Sequence, residues 1–272
     1  MRYLRAGAIV ALLLSLVFSL WANYLYYSSV DKHAPKITNA VEQLQISVQD
    51  PPEALLQGLT AEDTTDGDLT DQIMVASISH FIEPGLVNVK YVVFDSYNNS
   101  ATLTRRVQYT DYESPVFTLD KAPVYTVGST FDLLDHIQVN DCLDGDISGR
   151  VRVISNMVNN FSVGNYPVVL EVSNSCGDTA QATIWVTYQS KEEAVQIALH
   201  QYIANVQVGQ TLDPYSFITS VTNQNGEALD VSHVEVQGNV DLETPGSYQL
   251  IYKYDDGQLT GQSSLAVLVT ER

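Results

Sequence analysis

Three strand-like runs, each opening on a glycine, recur roughly every 80 residues and constrain this chain more than any other feature. They begin at Gly85, Gly164 and Gly246 and continue as LVNVKYVVFDS, NYPVVLEVSNS and SYQLIYKYDDG. In the first, Val87, Val89, Tyr91 and Val93 alternate with the opposite face. The matching sets are Tyr166, Val168, Leu170 and Val172 in the second, and Tyr248, Leu250, Tyr252 and Tyr254 in the third. A period of two predicts a strand with one buried face, in the same phase each time. A further strand-like run follows each, at 102–109, 182–188 and 264–270. The links between them are rich in Asn, Asp, Ser and Gly, so each repeat is expected to close with a β-hairpin.

The phrases HAP at 33–35 and ESP at 113–115 mark two repeat starts, and QSKEEA at 189–194 reads as the junction before the third. The expected divisions are therefore 1–30, 31–112, 113–190 and 191–272. Repeats of this size, built from short alternating strands, fit antiparallel β-sandwiches. Each is large enough to fold alone, though not by a wide margin. The stretch 191–206 is read as the junction followed by a first strand.

Residues 6–30 carry no formal charge, and their core is AGAIVALLLSLVFSLWA. Such a run predicts a single transmembrane helix acting as a signal anchor. Arg2 and Arg5 ahead of it would keep the N-terminus cytoplasmic and send the repeats outside the cell. Trp21, Tyr24, Tyr26 and Tyr27 would form an aromatic belt at the outer interface. A cleaved signal peptide is the alternative, which would make the protein secreted, but Leu20 occupies a position that wants a small side chain. The end LAVLVTER shows no sorting motif, so wall attachment from that end is not expected. The formal net charge of −19 excludes nucleic acid as a partner and would attract cations, calcium included.

Four of the acids cluster in a phrase that is repeated. DTTDGDLTDQ at 63–72 returns as DCLDGDISGR at 141–150, and QNGE at 224–227 holds the corresponding place in the third repeat. As a turn, the phrase would bind its own backbone N–H groups through Asp side chains, with a glycine at positive φ. As a calcium site, Asp63, Asp66 and Asp68 would supply hard oxygen ligands, joined by Asp95 from the hairpin. The twelve-residue EF-hand pattern is missing, and Ser173 is read as standing where Asp95 would be. As catalytic carboxylates, the acids would need an apolar pocket to separate two pKa values, and the neighbouring sequence offers none.

The full pattern resembles the bacterial Ig-like repeat of the Cry22Aa type. That family shows D-x-x-D-G-D-[IL]-[TS], then G-x-Y-x-V-x-Y-x-V-x-D, then a G-N-x-A hairpin. The first repeat matches through Asp63, Asp66, Gly67, Asp68, Leu69, Thr70, Gly85, Tyr91, Asp95, Asn99 and Ala101. The second matches through Asp141, Asp144, Gly145, Asp146, Ile147, Ser148, Gly164 and Tyr166. The third departs most, with Asn225, Gly226 and Glu227 in place of D-G-D. The resemblance implies exported cell-surface modules of a bacterium, without enzymatic activity. The expected fold is all-β, with tandem antiparallel Ig-like β-sandwiches behind a single N-terminal transmembrane helix.

In an Ig-like strand order the acidic phrase and the hairpin turn lie at one end of the sandwich. Cys142 sits in the first of these loops and Cys176 in the second, so a Cys142–Cys176 disulfide is expected outside the cell. The five histidines lack metal-ligand spacing, and neither a nucleophile elbow nor a phosphate-binding loop occurs. Sixteen tyrosines suggest sugar stacking, but Tyr91, Tyr166, Tyr248 and Tyr252 fall on the core phase of their strands. The expected function is that of a non-enzymatic, membrane-anchored surface protein whose repeats serve as stalk or interaction surface. The alternative is an adhesin or carbohydrate-binding protein using the loop ends or the third repeat. Expected partners are the membrane, through the N-terminal helix, and a surface protein or glycan.

Overall fold

The computed structural model describes residues 2–29, 31–189 and 195–271; within the helix, side chains are described at 7 and 11–25. The chain divides into two compact units, Met1–Thr110 and Asp111–Arg272. The expected junction at 189–194 falls almost wholly outside the described residues, as do the side chains of Arg2, Arg5, Tyr26 and Tyr27.

The first unit opens with helix α1 (Arg2–Ser29). No helix among the described residues is long and apolar enough to cross a membrane. The expected single-pass anchor, with a cytoplasmic N-terminus and a membrane partner, is corrected accordingly.

Seven strands follow: β1 (Lys36–Asn39), β2 (Gln43–Ile46), β3 (Leu59–Asp63), β4 (Gly67–Asp68), β5 (Met74–Ile78), β6 (Leu86–Phe94) and β7 (Ser100–Tyr109). They form a β1-β3-β4 sheet and a β2-β7-β6-β5 sheet, antiparallel except that β2 runs parallel to β7. The predicted phase holds, since Val87, Val89, Tyr91 and Val93 are all buried. One buried side chain is a cation. Arg105, on the apolar phase of β7, is 2% exposed and lies over the Tyr91 ring. Its guanidinium donates to Leu55 O at 2.6 Å, Gln57 O at 2.7 Å and Asn39 Oδ1 at 3.2 Å. It thereby satisfies Gln57 O, just past a 3-10 turn (Pro52–Leu56), and shares Leu55 O of that turn with the Tyr91 hydroxyl.

The second unit begins with β8 (Val116–Leu119), β9 (Val124–Thr126), β10 (Ile137–Asp141), β11 (Gly145–Asp146), β12 (Arg152–Asn156), β13 (Gly164–Ser173) and β14 (Thr179–Gln189). These form β11-β10-β8 and β12-β13-β14-β9 sheets, the same arrangement as in the first unit. Next come β15 (Val195–Leu199), β16 (Ile203–Gln207), β17 (Ile218–Asn223), β18 (Val234–Gln237), β19 (Gly246–Asp255) and β20 (Thr260–Thr270). They pair as β15-β17 and β16-β20-β19-β18. The stretch 191–206 thus holds one strand and most of a second among its described residues.

Within this unit the two sets of sheets share one continuous hydrophobic core, from Phe117 and Tyr188 to Tyr252 and Leu265. Hydrogen bonds stitch them together: Tyr202 N donates to Leu119 O at 3.2 Å, and the Asn205 side-chain amide donates through Nδ2 to Phe117 O at 2.9 Å. Tyr166 and Tyr248 are half-buried rather than fully buried, and their hydroxyls donate to Ser162 O and Thr244 O. Each ring folds back toward the glycine that opens its strand. A Cβ added to Gly164 would lie 2.8 Å from the Tyr166 hydroxyl.

Candidate functional site

The acidic phrase makes the same turn twice. Gly67 and Gly145 take φ of 75° and 70°, which side chains with a Cβ avoid. Asp63 Oδ1 accepts from the backbone N–H of Thr65 at 2.8 Å and of Asp66 at 3.0 Å. Asp141 Oδ1 accepts from Leu143 and Asp144 in the same way, each at 2.9 Å. The third carboxylate holds the first residue of a following 3-10 turn: Thr70 N donates to Asp68 and Ser148 N to Asp146, both at 2.9 Å. In the third repeat Asn223 Oδ1 takes over, accepting from Asn225 N and Glu227 N.

The middle carboxylate ties the phrase to the hairpin. Ser96 N donates to Asp66 Oδ2 at 2.8 Å, and Ser175 N donates to Asp144 Oδ2 at 2.8 Å. The two loops therefore lie at one end of each sandwich. Hydrogen bonds from Thr70 and Ser148 hold Asp68 and Asp146 below the usual carboxylate range. Burial alone would raise Asp144, but Ser175 and Arg150 bring it below that range as well. These groups stay ionised as acceptors, the opposite of what a general acid needs.

At the hairpin of the first unit, Asp95 Oδ1 accepts from Tyr97 N at 2.9 Å and Asn99 N at 2.7 Å, and Asn99 Nδ2 donates to Oδ2 at 2.7 Å. Asp31 joins from upstream. Its carboxylate accepts from Thr65 Oγ1, from His33 N at 2.8 Å and pairs with His33 Nδ1 at 2.9 Å. These bonds, the Thr65 hydroxyl first, hold Asp31 down at about 2. One carboxylate oxygen from each of Asp31, Asp63 and Asp95 lies within 4.8 Å of the others. Asp63 and Asp95 are 9% and 6% exposed. Two ionised carboxylates about 5 Å apart repel by roughly 3 kcal/mol at an effective dielectric of ~20. Asp63 Oδ2 is also buried without a hydrogen-bond partner.

The structure thus brings together Asp63 and Asp95 of the expected calcium ligands. It sends Asp66 and Asp68 to backbone partners and adds Asp31. The second repeat is built differently at the same place. Asn174, not Ser173, occupies the position of Asp95, because Asn174 N bonds Asp178 O as Asp95 N bonds Asn99 O. Asn174 Nδ2 donates to Asp141 Oδ2 at 3.1 Å and to Tyr112 Oη at 2.9 Å, and Tyr112 Oη donates to Asp178 Oδ2 at 2.6 Å.

The expected Cys142–Cys176 disulfide is corrected: both thiols are free. Cys142 Sγ instead donates to Glu113 O at 3.1 Å. Burial pushes both thiols up, so neither is an activated nucleophile. Elsewhere in the second unit, a cleft of about 760 Å³ is lined by Lys121, Tyr125, Gln189, Gln196, Gln262 and Ser263. Tyr125 is 7% exposed and stacks on Tyr188, so it offers no free face to a sugar.

Residues 204–269 match the family model of the bacterial Ig-like domain (group 3). The match falls in the repeat that has Asn225, Gly226 and Glu227 in place of D-G-D. The pesticidal crystal protein Cry22Aa of Bacillus thuringiensis is 29% identical over 208 residues, 73% of this chain and 27% of that protein. The chain therefore spans about a quarter of that relative's length. Among solved structures, Drosophila N-cadherin EC1-3 is 11% identical, covering 86% of this chain and 99% of that one at a TM-score of 0.30. The M60 catalytic domain with two CBM51 domains of Clostridium perfringens ZmpB is 12% identical. It covers 89% of this chain and 31% of that one at a TM-score of 0.25. Superpositions this loose carry no argument.

Proposed function

On the premise that this chain is built of bacterial Ig-like repeats, we propose that it is a non-enzymatic module of the cell exterior, serving as stalk or interaction surface. The observation that carries this reading is the use made of the acidic phrase. Asp66 and Asp144 lock a loop onto the hairpin beside it, while Asp68 and Asp146 each hold the first residue of a 3-10 turn. A rigid loop end of this kind can present a surface or resist deformation without turning over a substrate. Exposing the purified chain to glycan and peptide panels tests the reading. Retention of a ligand without product, or no retention at all, agrees with it, whereas hydrolysis abolished by Asp66→Asn would overturn it.

A second reading, recognition of a polar ligand such as a glycan, is favoured by one observation. The cleft of the second unit is lined by four glutamine amides, Gln189, Gln196, Gln224 and Gln262. Ser263 there has a buried hydroxyl with no hydrogen-bond partner. Binding on a glycan array that disappears with Gln262→Ala would decide for this reading over a purely structural role.

A further inference from the structure

We infer that Asp31, Asp63 and Asp95 form a site for one calcium-sized divalent cation at the loop end of the first sandwich. Three observations converge. The ligand atoms lie within 4.8 Å of one another. Oxygens this close can share one ion, and a set made of protein carboxylates suits calcium, whereas magnesium keeps several waters and is seldom held by an all-protein cage. All three donors are carboxylate oxygens, the chemistry of a hard cation.

The second observation is independent of the clustering. Asp63 is nine-tenths buried, yet its Oδ2 lacks a hydrogen-bond partner while its Oδ1 holds the turn. A buried carboxylate oxygen without a donor is strongly disfavoured unless a positive charge completes it. The neighbouring donors are already committed. Asn99 Nδ2 serves Asp95 Oδ2 and Asp31 O, and Thr65 Oγ1 serves Asp31.

The third is an internal comparison. At the same place in the second repeat the orphan is gone, because Asn174 puts an amide N–H on Asp141 Oδ2. One repeat answers the buried carboxylate with a neutral amide. The other surrounds it with two more carboxylates, which a cation can neutralise together.

The test is calorimetric titration of CaCl2 into the chelator-stripped full chain, with Asp95→Asn and Asp63→Asn alongside. Asp95→Asn copies the second repeat, and Asp63→Asn keeps the Oδ1 that holds the turn, so both variants are expected to fold. The wild type should bind one Ca2+ per chain, with each variant at least tenfold weaker. Asp95→Asn should also melt higher than the wild type when both are stripped. No saturable heat in the wild type, or unchanged binding in Asp95→Asn, would overturn the site. Equal affinity for Mg2+ would overturn the assignment to a calcium-sized ion.

Discussion

Asn174 Nδ2 donates to Asp141 Oδ2 at 3.1 Å, and the same oxygen of the preceding repeat, on Asp63, is buried without a donor. The group facing that oxygen differs, Asp95 in one repeat and Asn174 in the next, and so do its partners, Asn99 and Asp31 against Asp178 and Tyr112. The backbone bonds of the acidic turn are shared, down to the serine N–H on the middle carboxylate.

Asn174→Asp should therefore damage the second unit in the absence of metal. It removes the donor to Asp141 and sets two carboxylates face to face in a buried place. A loss of about 1–3 kcal/mol is expected from the orphaned acceptor alone. Urea unfolding at neutral pH measures it, and an unchanged midpoint would show that the amide contributes nothing.

Arg105 should matter far more than a strand arginine usually does. Its guanidinium donates to Leu55 O and Gln57 O from a place 2% exposed, so Arg105→Leu removes the donor of Gln57 O and leaves Leu55 O to the Tyr91 hydroxyl alone. The expected cost is about 2–3 kcal/mol, falling on the first unit alone.

Heating should give two transitions rather than three. The second and third repeats share a core running from Phe117 to Leu265 and are joined by the bonds of Tyr202 N to Leu119 O and of Asn205 Nδ2 to Phe117 O. Scanning calorimetry of the full chain checks this. Three separable transitions would show that the shared core does not couple them.

The second unit should also lose stability at acid pH through Asp132. Lys121 Nζ and Tyr125 Oη, each at 2.7 Å, hold its carboxyl at about 2, below the 3.8 of an ordinary Asp. A carboxylate depressed by folding stabilises the native state above its unfolded pKa, and that share is lost as pH falls through the folded value. The melting temperature of the second transition should thus fall between about pH 4 and pH 2. In Asp132→Asn that fall should be shallower.

Much of this was legible in the sequence, because period-two alternation and turn chemistry are local. The core phase of β6 and the glycine of each acidic turn follow from residues within reach of one another. The contacts that complete the carboxylate cluster are not local. Asp31 lies far upstream of Asp63 and reaches it through Thr65, a residue any turn can hold. The signal that could have found it is the repeat offset, which sets Asp31 against Asp111. Counting from Gly85 and Gly164 would likewise have matched Asp95 to Asn174 instead of Ser173. Arg105 announced itself weakly, as a cation on the same face of β7 as Leu103 and Val107. The disulfide was expected because the two loops do meet, but nearness of loops does not fix the thiol geometry a bond needs.

The most direct measurement is scanning calorimetry of the full chain in excess Ca2+ and again in chelator. A ligand held only by the native first unit must raise the transition of that unit and leave the other in place. The account predicts a shift confined to the transition that Arg105→Leu also lowers. Equal shifts in both transitions, or none in either, would contradict it.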